Sequence, residues 1–388
     1  MTTAPMILHI SSEYLDPIRP PPITDAVLRL VDRLTDHPQV VISLKRVNDP
    51  RKAFWRDMGM LDGRRLIVYR YFAPPLGLGM LACQLLVARR ISRFLETEGL
   101  RPDIIHAHRF TFEGIAAWRL ARRFKAGLFY SVRGEVESKV FRAKPTYRPM
   151  FRRMARDAAR IYHVSAWFKP AFERHTGVDP AKTRLLPNFV HNARRDIPRG
   201  EPSSSIVMPM SLRAIDKKGL PELLKAFAEA GAALDGVSLE VIGEGPPEAH
   251  QRIKALIESN GLNGRVTLSG RMDNAALLAK LSTSLAVAMP SHNETFGMVY
   301  PEALFAGIPI LYSAGTGIDG YLNGLSVGVA VTPGNIASIK DGLIRLVHEN
   351  SQFRAVIHEQ ADVLFSRFSP DAVLTRYRAD IAETMSQR

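Results

Sequence analysis

"LAVAMPSHNETFGMVYPEALFAGIPI", residues 285–310, runs from an apolar strand through a polar loop and a short helix into a second apolar strand. The stretch up to Pro290 is apolar without alternation, which suits a strand covered on both faces in a parallel sheet. A helix is expected to start near Gly297 and to close at Gly307, with Pro309 beyond it. Glu294 then lies in the loop and Glu302 on the helix.

Working outward, the alternation continues. Before it come strand "IVMPMSL", helix "LPELLKAFAEAGAAL", strand "SLEVIG", helix "HQRIKALIESNG", strand "RVTLSG" and helix "AALLAKLSTS"; after it comes "IPILYS". The first half has the same character. Short runs such as "MILHI", "VVISLKRV", "LIVYRYF", "DIIHAH", "LFYSV" and "RIYHVS" are separated by amphipathic segments such as "ITDAVLRLVDRL" and "GIAAWRLARRF". The polar stretch "ARRDIPRGEPSSS", 193–205, interrupts the pattern. The expected fold is α/β, with two Rossmann-like doubly wound domains at 1–195 and 200–366 facing each other across a cleft, and a final helix at 367–388 packing back on the first. A length of 388 residues accommodates two such domains.

An apolar fraction of 46% with 23% charged residues excludes a disordered or low-complexity chain. A single cysteine, Cys83, excludes an internal disulfide and a cysteine-based zinc site, and it suits a reducing compartment. The amino terminus passes through "TTAP" into "MILHI" with no signal-peptide pattern, so a buried first strand and a cytoplasmic protein are expected.

The net charge of +14 is unevenly placed. Residues 1–200 hold 36 Lys and Arg against 18 Asp and Glu, whereas 201–388 hold 16 against 20. The excess peaks in "VFRAKPTYRPMFRRMARDAARIYH", 140–163, where Arg142, Lys144, Arg148, Arg152, Arg153, Arg156 and Arg160 face only Asp157. A one-sided basic surface attracts nucleic acid or an anionic membrane face. The uncharged run "YFAPPLGLGMLACQLLVA", 71–88, is broken by Pro74, Pro75, Gly77 and Gly79, so it reads as a loop leading into a core helix, with a membrane-docking segment as the alternative.

The candidate chemistry gathers at strand ends. Gly297 permits close backbone approach, and free amides at the helix start favour an anion. Two carboxylates beside such a nest suit sugar and ribose hydroxyls as donors, which points to a sugar nucleotide. Arg213 and Lys218, in "MSLRAIDKKGLPELL", are the candidate diphosphate clamp. Gly243 in "VIGEGP" and Arg271 with Met272 in "LSGRM" lie at further strand ends. No Asp-x-Asp occurs, so no metal site is expected and protein cations would neutralise the leaving group.

Taken as a set, "SLRAIDKKG", "VIGEGP", "LSGRM" and Glu294 with seven residues before Glu302 resemble the retaining GT-B glycosyltransferases of family 4, as do "PDIIHAH", "YHVSAWFKPAF" and "LLPNFV" in the first half. The resemblance implies metal-independent transfer of a sugar from a UDP- or GDP-sugar, needing no other cofactor. It casts Glu294, Arg213 and Lys218 as catalytic, and Glu302 as acceptor from the nucleotide ribose. Thr295, Phe296, Gly297, Met298, Gly243, Arg271 and Met272 complete the donor site. A glycan or polyprenyl-linked acceptor in envelope or exopolysaccharide synthesis is expected on the first domain. That domain's basic face would lie on an anionic membrane, with no nucleic-acid partner.

Two segments depart from the family pattern. "SSEYLDPIRPPPITDAV" replaces a Gly-Gly loop after the first strand, and Arg133 in "YSVRGEVES" stands where the family has a His. Arg133 would meet a substrate carboxylate or turn to Glu135 or Glu137. His108, or His106 beside it, is a candidate acceptor contact, and His163 is expected in the core. The rival readings are a sugar-nucleotide epimerase of the same architecture and a non-catalytic scaffold or polyanion binder.

Overall fold

The computed structural model describes residues 4–18 and 25–388. Pro20, Pro21 and Pro22 of the departing loop, and the first residues of the "ITDAVLRLVDRL" segment, lie outside the described residues. The chain divides into two compact units: Met1–Val164 with Lys169–Leu186 and Leu374–Arg388, and Ser165–Phe168 with Pro187–Val373.

Among the described residues the amino-terminal unit holds eight strands: β1 (Ile7–Ser11), β2 (Gln39–Val47), β3 (Phe54–Leu61), β4 (Arg64–Phe72), β5 (Ile104–Ala107), β6 (Gly127–Val132), β7 (Arg160–His163) and β8 (Thr183–Leu185). Their order is β3-β4-β2-β1-β5-β6-β7-β8. All pairings are parallel except β3 with β4. That antiparallel edge corrects the expectation of an all-parallel sheet. β3 has no apolar alternation to reveal it: most of its residues are exposed, and a bulge between Asp57 and Met60 breaks its register. A bulge twists such an edge and resists pairing with a second chain.

The carboxyl-terminal unit holds β9 (Ser205–Pro209), β10 (Ser238–Ile242), β11 (Val266–Ser269), β12 (Ala286–Met289), β13 (Ile310–Ser313) and β14 (Gly328–Val331), in the parallel order β11-β10-β9-β12-β13-β14. Val207, Met208, Val287, Ala288, Ile310 and Leu311 are fully buried, as a sheet covered on both faces requires. In each unit the chain winds to one side of its first strand and then resumes on the other. The switch falls between β1 and β5 in the first unit and between β9 and β12 in the second, and crevices at these points are where α/β sheets receive ligands.

The tail is anchored in the first unit by polar contacts. Arg160 Nε donates to Asp380 Oδ1 at 2.6 Å, Tyr162 donates to Asp380 Oδ2 at 3.0 Å, and Tyr377 OH lies 2.9 Å from His106 Nδ1.

The segment 71–88 forms a short turn, Pro75–Gly77, and then the start of the helix Met80–Thr97. That helix buries Gln84, Val87, Ala88, Ile91 and Leu95 at helical spacing, and Gln84 donates to Tyr71 OH at 2.9 Å. Leu81, Leu85 and Leu86 are left on its outer face. Among the described residues no helix is long and apolar enough to cross a membrane.

Candidate functional site

At the switch point of the carboxyl-terminal unit, the loop after β9 meets the loop after β12. Gly219 makes the approach possible: it adopts φ +72°, and a Cβ there would lie 2.2 Å from the Pro290 carbonyl oxygen. The amide of His292 donates to Lys217 O at 2.9 Å across the same seam. As a result Lys218 Nζ forms an ion pair with Glu294 Oε2, both side chains being mostly shielded from water. Glu294 is fixed through its backbone. Its amide donates to Thr316 Oγ1 at 2.6 Å, and its carbonyl accepts from Thr316 Oγ1 and from Gly317 N, each at 2.9 Å.

Beyond Glu294 the chain passes through Thr295, whose carbonyl accepts from Ser165 Oγ at 2.6 Å, and Phe296, buried edge-on against Tyr321 at 5.4 Å. The helix begins at Val299, two residues later than expected, because Gly297 holds φ +79° and cannot join a right-handed helix. A Cβ at Gly297 would collide with the Tyr300 ring at 2.4 Å. Tyr300 itself donates to Met289 O at 2.6 Å, and burial pushes its phenol well above the ordinary range. The amides of residues 296–299 donate no hydrogen bond among the described residues. Glu302 lies buried on the helix Val299–Phe305, with Asn192 Nδ2 donating to its carbonyl at 3.0 Å.

Arg213 and Lys218 have different surroundings. Lys218 meets Glu294, whereas exposed Arg213 lines an open depression of about 580 Å³ with Asp216, Lys217, Pro246, Glu248 and Arg252. Asp216 in that depression is held by Arg252 at 2.5 and 2.8 Å, which lowers its carboxyl from the usual range. Gly243 directly follows β10, with its amide donating to Ser269 O at 3.1 Å, so it neighbours the end of β11 where exposed Arg271 and half-buried Met272 follow. Thr316 is one site residue that the sequence did not single out, since a lone threonine after a strand carries no periodic or motif signal.

The first unit presents a different polar centre. His9 and His106 are register partners on β1 and β5, and His108 stacks on His106 with ring centroids 4.1 Å apart. His106 is engaged at both nitrogens, by Tyr377 OH and by Ser131 Oγ, each at 2.9 Å, and His9 Nδ1 lies 3.1 Å from His108 Nε2. Burial lowers all three imidazoles, His9 to about 3, and it does the same for core His163. His108 is fully enclosed, which corrects its expected role as an acceptor contact. One nitrogen of each ring lies within 4.8 Å of the others, but both nitrogens of His106 are already engaged by Tyr377 and Ser131. Arg133 is likewise buried. Its Nε lies 3.1 Å from both Glu13 Oε2 and His108 O, which makes Glu13 a carboxylate partner beyond the expected Glu135 and Glu137, and Glu137 accepts from its backbone amide at 3.3 Å.

Residues 26–194 match the family model described as Glycosyltransferase Family 4, and residues 194–363 match Glycosyl transferases group 1. The chain therefore belongs to glycosyltransferase family 4, with two Rossmann-like domains of the GT-B type. It is 27% identical over 202 residues to the lipopolysaccharide core biosynthesis glycosyltransferase LpsE of Rhizobium meliloti, covering 50% of this chain and 56% of that protein. It is 24% identical over 255 residues to a phosphatidyl-myo-inositol mannosyltransferase of Mycobacterium leprae, covering 64% and 65%. The chain spans about half the length of the curated relatives it matches. Among solved structures, sucrose-phosphate synthase from Thermosynechococcus elongatus superposes with a TM-score of 0.71 at 19% identity, covering 99% of this chain and 100% of that one. HepE from Anabaena in complex with UDP and glucose gives 0.64, also at 19%, with the same coverage.

Proposed function

We propose that the protein transfers a sugar from a nucleoside diphosphate donor to a glycan or lipid-linked acceptor of the cell envelope, with retention at the anomeric carbon and without a metal. The observation that carries this is the Lys218–Glu294 pair at the switch point, beside the open amides of residues 296–299. A diphosphate competes for Lys218 with more charge than one carboxylate offers. Once released, Glu294 is an acceptor for hydroxyls of the sugar, and Glu302 is the acceptor for the ribose. Arg213 supplies a second cation to the leaving group. HepE binds UDP and glucose, which favours a UDP-sugar, and the lipopolysaccharide and phosphatidylinositol relatives favour an envelope acceptor.

Thermal stability against UDP, GDP and ADP tests the donor site. One nucleotide at about 100 times its Kd stabilises the protein by roughly 2.7 kcal/mol, and Arg213→Ala abolishes the shift. If no nucleotide shifts the wild type, the reading fails.

The amino-terminal unit is proposed to rest on the inner face of an anionic membrane. Leu76, Leu78 and Leu86 are 86%, 58% and 64% exposed. Leu76 also sits at φ +56°, a left-handed conformation that costs a branched residue about 1–2 kcal/mol and buries nothing in return. Basic residues frame this tip. Arg46 donates to Pro74 O at 3.2 Å, the Lys144 side chain reaches Gly77, and Arg89 and Arg90 follow on the helix. Apolar side chains ringed by cations suit the headgroup boundary of an anionic leaflet.

A further inference from the structure

The loops leaving β1, β5 and β6 gather three charged side chains at the switch point of the amino-terminal unit. Glu13 receives a guanidinium on each oxygen: Arg109 Nη2 on Oε1, and Arg133 Nε on Oε2 at 3.1 Å. Two further carboxylates lie behind it with other partners. Glu113 accepts from the amide and the hydroxyl of Ser12, both at 3.1 Å, and Glu137 accepts from the amides of Phe110 and Arg133, both at 3.3 Å. The carboxylate that meets both arginines is Glu13. Arg109 keeps one more donor, its Nε, buried without an acceptor among the described residues. The cluster opens to water at its outer edge, where Glu13 and Arg109 are 21% and 23% exposed; Arg133, at 7%, is covered.

We propose that Arg109 and Arg133 form an anion-binding site for the acceptor, with Glu13 as its resident stand-in, displaced by a carboxylate or phosphate that the acceptor carries. Two guanidinia converging on one carboxylate present planar donor forks, the arrangement that carboxylates and phosphates match best. The exchange replaces one anion by another, so the buried Glu113 and Glu137 see little change in net charge. A neutral sugar offers the guanidinia nothing and leaves them on Glu13, which makes the site selective by what it refuses. The site stands on this geometry, and its assignment to the acceptor rests on the transferase reading above.

Calorimetric titration of the full chain with inorganic phosphate, with glucuronate and with glucose tests the proposal. Glu13→Gln keeps the shape and removes the competing charge, so at least one anion binds tenfold or more tighter than to the wild type while glucose is unchanged. A larger gain for phosphate marks a phosphorylated acceptor, and a larger gain for glucuronate marks a uronic one. Adding Arg109→Gln to Glu13→Gln returns binding to the wild-type level. The proposal is overturned if folded Glu13→Gln, melting cooperatively with unchanged circular dichroism, gains for neither anion, or if the gain survives Arg109→Gln. Should Glu13→Gln not fold, Glu13→Asp, which retracts the carboxylate by one methylene, is read in the same way with a gain of about threefold. UDP stabilisation of the same variants separates the two readings, because loss of the UDP response with the anion gain intact strikes the transferase reading alone.

Discussion

Leu76→Gly should move membrane binding and fold stability in different directions. The side chain is 86% exposed, so removing it deletes almost no packing. Its backbone, at φ +56° and ψ +16°, is a conformation that glycine adopts without strain. Relief of about 1–2 kcal/mol is set against about 0.5–1 kcal/mol of extra entropy in the unfolded chain, leaving the melt unchanged or slightly raised. In a bilayer the balance differs. Full burial of a leucine contributes about 1.5–3 kcal/mol, so a side chain this exposed loses about 2 kcal/mol of insertion energy, roughly thirtyfold in partitioning. Co-sedimentation with vesicles of phosphatidylcholine containing about one-third phosphatidylglycerol reads the second quantity, and a thermal melt reads the first. The reasoning fails if Leu76→Gly partitions like the wild type, or if it melts clearly lower, since the leucine would then be packing against the protein.

Three further perturbations test other parts of the molecule. The neutral burial of His9 and His163, both lowered to about 3 by desolvation, means that the unfolded chain binds more protons below pH 6.5; stability therefore falls with acidification, by on the order of 1 kcal/mol per ring between pH 7 and 5.5. His106 and His108 act in the same sense, whereas Glu113 and Glu137, raised by burial, take up protons in the folded state and soften the loss; a melt that is flat across this range contradicts the assignment. Lys218→Met leaves Glu294 partly buried without its cation, so it should lower the melting temperature modestly and weaken UDP binding at least tenfold, with unchanged UDP affinity counting against a donor role. Gly219→Ala drives a methyl group onto the Pro290 carbonyl and should cost several kcal/mol or abolish UDP binding outright; a variant that behaves like the wild type in both melt and titration would show that the seam is not needed.

Much of this architecture was legible because parallel strands buried on both faces write unbroken apolar runs into the sequence. β1, β5, β9 and β12 all read this way, and the runs themselves place the loops after them. β3 could not, because an exposed edge strand with a bulge carries neither continuous hydrophobicity nor alternation. At the site, residue types and spacing singled out Lys218 and Glu294 separately. Their direct pairing depends on a loop crossing that Gly219 permits through space, and one-dimensional spacing does not encode it. Glu13 was missed for the same reason: its partners lie 96 and 120 residues away, and only the order β1-β5-β6 makes them neighbours.

The two switch points share a device, an acid held by a base on a neighbouring strand-end loop. In the second unit Glu294 holds Lys218, and in the first Glu13 holds Arg109 and Arg133. A cation left alone in a crevice would bind whatever anion the cell offers, and a carboxylate left alone would lose its charge as its surroundings dried. Pairing them keeps each charge in place and sets a threshold, since a ligand displaces the internal carboxylate only by meeting the cation better than a single carboxylate does. For Lys218 that standard is met by a diphosphate and not by a lone sugar, and for the arginines by a second planar anion and not by a hydroxyl. Substituting Glu294→Gln should therefore relax the first threshold: UDP should bind tighter to the variant even as transfer collapses, because the residue that restrains Lys218 is also the one assigned to the sugar. Weaker UDP binding in a folded Glu294→Gln protein would mean that the pair acts together on the donor, and the exchange argument would fail for both crevices.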